Sequence, residues 1–295
     1  MKVSVHAKLS LVLILALVLL MAAPAVGQKE GRAPLNVTYI ANDGFMIESQ
    51  AKKVVIDAMF GGWKSEYYFS PSDSILRSME MALPPFDNID VIAVTHNHMD
   101  HCKPAIIASH MKHNPRAILV CPPQVAEDLA ALEGYTDIKN RIKIITAPID
   151  SLVSMDINGI NITAILGKHG SYFETDTLTG ETIDRHRDIQ HMEYLISIGG
   201  RKAYHSGDAP LNDMTRYERL GFGRDTVDLA MIQWFTPGEM VSFREKLVKQ
   251  VIGAKKIMLM HLVPGSKIFE PEYKKICEDR NLILPQKSME RWVIE

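Results

Sequence analysis

Cysteine is scarce in this chain: Cys102, Cys121 and Cys277 are the only three in 295 residues, and an odd number leaves at least one thiol unpaired. Charge is not concentrated in either sign. The 33 Lys and Arg stand against 35 Asp and Glu, for a net −2 at pH 7, and no basic block or Lys/Arg stripe occurs. The electrostatic footprint of a nucleic-acid binder is therefore missing. There is no Gly-x-Ser-x-Gly, which argues against a serine nucleophile on an α/β-hydrolase elbow. Short repeats, heptads and low-complexity segments are also lacking.

Long apolar runs are lacking too, apart from Leu9 to Met21. Lys2 and Lys8 precede that run and Ala22-Ala23-Pro24-Ala25-Val26-Gly27 follows it. A basic region, an apolar stretch and small residues make a secretory signal peptide over residues 1–27, with cleavage expected after Ala25 or Gly27. An uncleaved anchor is the competing reading, because the run falls little short of the ~20 residues that span a bilayer; the small-residue exit favours cleavage. No Cys follows the run, so a lipid-anchored form is not expected. The expectation is an exported protein, periplasmic or secreted, whose only membrane contact is the transient signal. Its mature part, residues 28–295, is long enough for one α/β domain with a full core, and its net charge becomes −4 once Lys2 and Lys8 leave.

In that part short apolar runs alternate with helical patterns. Val37 to Ile40, Gly44 to Ile47, Val54 to Asp57, Val91 to Val94 and Ala117 to Cys121 read as strands, with Asn42-Asp43-Gly44 as a turn. Ile160 to Leu166, Tyr194 to Ile198, Lys202 to His205, Val227 to Ile232 and Lys256 to Met260 have the same character. Helices are expected from Ser70-Pro71-Ser72-Asp73, with Ser70 as cap, to before Pro84-Pro85; from Val125 to Leu132; and from a capping box at Ser242 to near Gly253. The alternation argues for helices covering sheet faces, without telling one sheet from two.

The most informative stretch is Thr95-His96-Asn97-His98-Met99-Asp100-His101, at the end of a buried strand run. Strand period puts His96 and His98 on one side, and as the chain turns out Asp100 and His101 can swing back to the same point. Imidazole with carboxylate suits zinc or a similar ion. Four donors this close would crowd one ion and suggest two. Further donors must come from other strand ends, where His169, Asp208 and His261 each follow an apolar run. His191 lies nearer the next strand and is the alternative to His169, which is preferred because it ends a run; His191 would then contact substrate. Cys102, beside the cluster, reads as a small buried hydrophobe.

Taken together these residues resemble the metallo-β-lactamase superfamily: a His-x-His-x-Asp-His loop, a single His, an Asp and a final His, each at a strand end. The resemblance covers residues 37 to 263. It implies a four-layer αββα sandwich with a dinuclear site, a zinc pair, at one edge of the sheets. One ion would be held by His96, His98 and His169, the other by Asp100, His101 and His261, with Asp208 bridging. Asp57 matches the family's early buried Asp that supports the metal loop from behind. Tyr194 to Asp208 and Asn42 to Ile47 are similar to the branch holding ascorbate-6-phosphate lactonase and the N-acyl-phosphatidylethanolamine phospholipase D enzymes. Zinc β-lactamases of the commonest type carry Cys where Asp208 stands, and diiron flavoproteins of this fold carry Glu where His98 stands.

The resemblance implies a metal-dependent hydrolase acting on a small ester, lactone or phosphodiester. A water between two such ions is acidified to roughly pKa 7, and Asp100 can orient it and receive a proton. The alternative is a non-catalytic metal- or ligand-binding protein that keeps the fold. Trp63, Tyr67, Tyr68 and Phe69, and the polar insert Ser171 to Gln190 with Arg185 and Arg187, are the candidate pocket loops.

Overall fold

The computed structural model describes residues 31–62, 65–221, 226–233 and 239–295. The expected signal segment, residues 1–27, and Trp63 lie outside them. The first half of the domain contains β1 (Leu35–Ala41), β2 (Gly44–Ser49), β3 (Lys52–Ile56), β4 (Val91–Ala93), β5 (Ile118–Cys121) and β6 (Ile142–Ile144). The second half contains β7 (Leu152–Ile157), β8 (Ile160–Lys168), β9 (Phe173–Thr175), β10 (Thr182–Asp184), β11 (Gln190–Ile198) and β12 (Arg201–His205). It continues with β13 (Val227–Gln233), β14 (Ala254–Met260), β15 (Leu282–Ile283) and β16 (Glu290–Ile294). The helices are α1 (Asp73–Glu80), α2 (Pro104–His113), α3 (Pro123–Ala130), α4 (Met214–Leu220), α5 (Glu239–Lys246, continued by a wider turn over Leu247–Ile252) and α6 (Pro271–Asp279).

Two seven-stranded sheets form, ordered β16-β1-β2-β3-β4-β5-β6 and β15-β14-β13-β12-β11-β8-β7. In the first, pairing is antiparallel from β16 to β3 and parallel from β3 to β6. In the second, it is parallel from β15 to β12 and antiparallel from β12 to β7.

Strand period decides how they stack. Phe45, Ile47, Val54 and Ile56 join Ile162, Ala164, Tyr194 and Leu229 in one core between the sheets. Their neighbours Met46 and Val55 point the other way and meet Leu76, Met79, Ile106, Ile107 and Val125 of α1 to α3. Ile165, Ala230 and Ile232 likewise meet Tyr217 of α4 and Leu247 and Val248 of α5. Both faces of both sheets are thus covered, which gives the αββα sandwich. It also explains why periodicity could not separate two sheets: strands buried on both faces read as continuous apolar runs.

Two helix starts differ from expectation. α1 is capped at Ser72 rather than Ser70, and Ser72 makes no side-chain cap because its Oγ lies 3.0 Å from Ser74 Oγ. α5 begins at Glu239, so Ser242 falls inside it instead of before it. The long strands are where they were expected; β6, β7, β9, β10, β15 and β16 are additional.

Candidate metal centre

The C-terminal ends of β4, β8, β12 and β14 open at one edge of the sandwich, joined there by the β1–β2 turn and the end of β3. β4 hands over to Thr95 and the His96–His101 loop, which Asp57 organises from behind. Asp57, buried after β3, accepts from Thr95 N (2.8 Å), Thr95 Oγ1 (2.6 Å) and His101 Nδ1 (2.9 Å). The Tyr194 hydroxyl crosses from the second sheet to Val94 O at 2.9 Å and Val120 O at 3.1 Å, fixing the same loop against the inner core.

These bonds decide which ring nitrogen each histidine presents. Thr95 Oγ1 gives its proton to Asp57 and so accepts from His96 Nδ1 at 2.9 Å. His101 Nδ1–H is committed to Asp57, and His169 Nδ1–H donates to Gly170 O at 2.7 Å. His96 and His169 are left with a bare Nε2, and the Nε2 of all three is buried and without a hydrogen-bond partner. A buried lone pair with no donor is costly in a purely structural cluster, whereas Nδ1–H held by an acceptor with Nε2 free is the arrangement of a metal-binding imidazole.

The Nε2 atoms converge with carboxylates. The rings of His96, His98 and His169 lie 4.6 to 4.7 Å apart, centroid to centroid. Asp208 Oδ2 lies 3.1 Å from His169 Nε2, 4.0 Å from His96 Nε2 and 3.7 Å from His261 Nε2, and Asp208 Oδ1 lies 3.4 Å from His101 Nε2. Asp100 Oδ2 is 3.7 Å from both His101 Nε2 and His261 Nε2. Two groups offer donor atoms all within 4.8 Å of one another: His96, His98, His169 and Asp208; and Asp43, His101, Asp208 and His261. Asp208 belongs to both. The donor set fits two divalent cations.

Electrostatics agree. Burial, reinforced by neighbouring imidazoles, pushes His96 well below the usual histidine range, and His98 down to about 4, so both are neutral at pH 7. Burial opposes charge on His101 too, but Asp208, Asp100 and Asp43 outweigh it and raise that residue well above its ordinary value. Burial also opposes charge on Asp208, yet His101 and His261 hold its carboxyl well below the usual range. The pocket favours positive charge.

His191 is brought to the site's floor rather than its mouth. It is buried, 5.4 Å from the His96 ring, and its Nε2 accepts the Asp208 backbone N–H at 2.9 Å. That bond occupies the nitrogen it would otherwise direct at an ion or a substrate, so the third single histidine among the converging donors is His169. The turn is tight: a Cβ on Gly207, at φ +48°, would come within 2.6 Å of His191 Nε2 and 2.8 Å of Thr95 Cγ2, so only glycine fits before Asp208.

Four contributors escaped the sequence. Asp43 is the carboxylate of the second group. Its neighbour Asn42 donates to Asp100 Oδ2 at 3.1 Å. Gln233, at the end of β13, donates to Asp208 Oδ1. His186 returns from the insert, which folds into the β9–β10 hairpin, to lie 4.3 Å from the His169 ring and 4.8 Å from His98. The signal for Gln233 was available, since it too ends an apolar strand run. The candidate pocket arginines are engaged elsewhere, Arg185 with Glu174 at 2.7 Å and Arg187 with Asp188 at 3.0 Å. Phe69 stacks edge-on with Phe269, and Cys102 is buried core.

Substituting Asp57→Ala should lower metal affinity about 10- to 100-fold, because His101 loses the acceptor that sets its tautomer. Competition against a chromophoric chelator measures this; affinity within a factor of two of wild type would refute the role.

Two sheets packed face to face under helices, with His and Asp donors gathered at one edge, define the class as the metallo-β-lactamase fold. The chain belongs to the beta-lactamase superfamily, whose domain model matches residues 52–264. No curated protein sequence matches it. Among solved structures it is similar to the metallo-beta-lactamase fold protein YhfI from Bacillus subtilis (15% identity, 88% of this chain and 99% of that one, TM-score 0.57). It is similar also to Igni18, a metallo hydrolase from the archaeon Ignicoccus hospitalis (16%, 89% and 99%, 0.55). An isothiocyanate hydrolase from Delia radicum gut bacteria shares the fold at 16% identity, with 88% and 99% covered and a TM-score of 0.51.

Proposed function

We propose that the protein is a dinuclear, zinc-type hydrolase that uses water to open a small ester, lactone or phosphodiester. The observation carrying this reading is the pair of donor groups that share Asp208, with the Nε2 atoms of His96, His101 and His169 buried and without hydrogen-bond partners. His96, His98, His169 and Asp208 would hold one ion; Asp100, His101, His261 and Asp208 the other. Bound ions would polarise the scissile carbonyl or phosphoryl oxygen and make water a nucleophile near neutral pH.

The chain's own part is orientation and proton handling. Asn42 Nδ2 holds Asp100 through its Oδ2 and, at 3.3 Å, its backbone oxygen, so the carboxylate faces the donor groups in one fixed attitude. Asp100 aims the attacking water and takes its proton. His186 stands over the first group, where a leaving group departs. The resemblance to the lactonase and phospholipase D branch supports lactone or phosphodiester bonds ahead of lactams, as does Asp rather than Cys at 208. The polar insert over the mouth would read the substrate, and the first 27 residues support export.

The test is to strip the protein with chelator, restore zinc, and screen lactones, esters and phosphodiesters beside elemental analysis. About two ions per chain and metal-dependent turnover are expected. With the substrate found, Asp100→Asn should lower kcat about 10²- to 10⁴-fold with an unchanged circular dichroism spectrum; full activity in that variant would sink the assigned role.

A further inference from the structure

Asp43 reads in sequence as the middle of a β-turn, yet it is fully buried and neither of its side-chain oxygens has a hydrogen bond. Its Oδ2 lies 3.2 Å from His101 Nε2, itself without a hydrogen-bond partner. A buried carboxyl that accepts no hydrogen bond and faces imidazole nitrogens at one point is better satisfied by a metal cation than by the protein alone. The turn is also pinned so that Asp43 cannot turn away. Its carbonyl accepts from His205 Nε2 at 2.8 Å. Asn42 is tied to Asp100 through its side chain and to the His261 backbone N–H, at 3.3 Å, through its carbonyl. A Cβ on Gly44 would sit 2.8 Å from Ala58 Cα, so the backbone closes against β3's exit.

We infer that Asp43 is a ligand of the second ion, and that the two positions are chemically unlike; this rests on the dinuclear reading above. The first position offers three imidazoles and one carboxylate. The second offers two imidazoles among three carboxylates, Asp43, Asp208 and Asp100. Imidazole-rich sites suit zinc, whereas carboxylate-rich sites suit manganese. The second position is therefore the one that admits Mn²⁺ more readily when manganese is in excess, zinc binding tighter at either position on equal terms, and Asp43 is the residue that tips it.

The experiment strips the purified protein and its Asp43→Asn and Asp43→Ala variants, then dialyses each against buffered Zn²⁺ with Mn²⁺ in large molar excess. Metals per chain are counted by mass spectrometry, and bound Mn²⁺ is followed by electron paramagnetic resonance. Wild type should hold one zinc and one manganese. Asp43→Asn should keep the zinc and lose manganese, with Mn²⁺ affinity down at least about tenfold. Melting temperature should fall further below wild type in the metal-loaded variant, which has lost a ligand, than in the stripped one. Two ions in Asp43→Asn at unchanged affinity, or equal shifts with and without metal, would overturn ligation by Asp43 while leaving the hydrolase reading intact. Two zincs and no manganese in wild type would overturn the unlike-site assignment alone. A wild type that binds no metal would overturn the dinuclear reading, and this inference with it.

Discussion

Asp208→Asn should reduce bound metal from about two ions to one or fewer and cut kcat/KM on the order of 10³-fold or more, the loss of several kcal/mol of charge stabilisation. Among the described residues no other side chain is common to both donor groups. Its two oxygens reach four different imidazoles, at 3.1 to 4.0 Å. The effect should be local. The residue's backbone is held independently of its carboxylate, through its N–H to His191 and its carbonyl to Gly170 N at 2.8 Å. Elemental analysis and steady-state kinetics on the variant, with circular dichroism to confirm folding, check this. Two retained ions and a tenth of the activity would contradict it.

The largest stability effect should come from a residue outside the site. Glu193 is fully buried in β11 and gathers the hydroxyls of Tyr204 and of Tyr217 (2.8 Å) and Arg216 Nη1 (2.7 Å). Arg216 is anchored further to Asp150 at 2.6 Å and lies over the Tyr217 ring at 4.8 Å. Glu193→Ala leaves that guanidinium without its buried counter-charge and removes the carboxylate that both hydroxyls share. Breaking such a pair from one side costs about 3–5 kcal/mol. Urea denaturation should show the midpoint falling with little change in slope, while metal per folded chain stays near the wild-type value. A loss under about 1 kcal/mol would mean the network relaxes around the gap.

What the sequence revealed and what it hid follow from how far apart partners stand. The His96–His101 loop was legible because its donors sit within six residues and strand period fixes their side. His169, Asp208 and His261 were legible because each ends an apolar run. Asp43 was not: it meets His101 only because β1 to β4 fold side by side, and nothing in Asn-Asp-Gly distinguishes a solvent turn from one pressed into a core. His186 was hidden for the same reason, since the β9–β10 hairpin that returns it to the site is made of exposed and half-buried residues with no apolar rhythm. His191 shows the converse: its position in sequence suited a ligand or a substrate contact, and the fold uses it to hold the Asp208 backbone.

The pairing of β16 with β1, from Leu35 with Ile294 to Tyr39 with Glu290, also sets a timetable. Until residues 290–294 arrive, the outer edge of β1 is an open row of amides and carbonyls, a template for wrong partners. Joining segments so distant in sequence is intrinsically slow, because a long loop must close before any contact rewards it. Met289 N bonds Tyr39 O at 2.7 Å, and Ser288 Oγ bonds Ile40 O, immediately before the Asn42–Asp43 turn. Residues 288 and 289 thus brace the approach to that turn, beside the bonds with His205, Asp100 and the His261 backbone that pin the turn itself. A chain halted short of residue 288 would lack that brace and leave the outer edge of β1 open, an aggregation-prone intermediate.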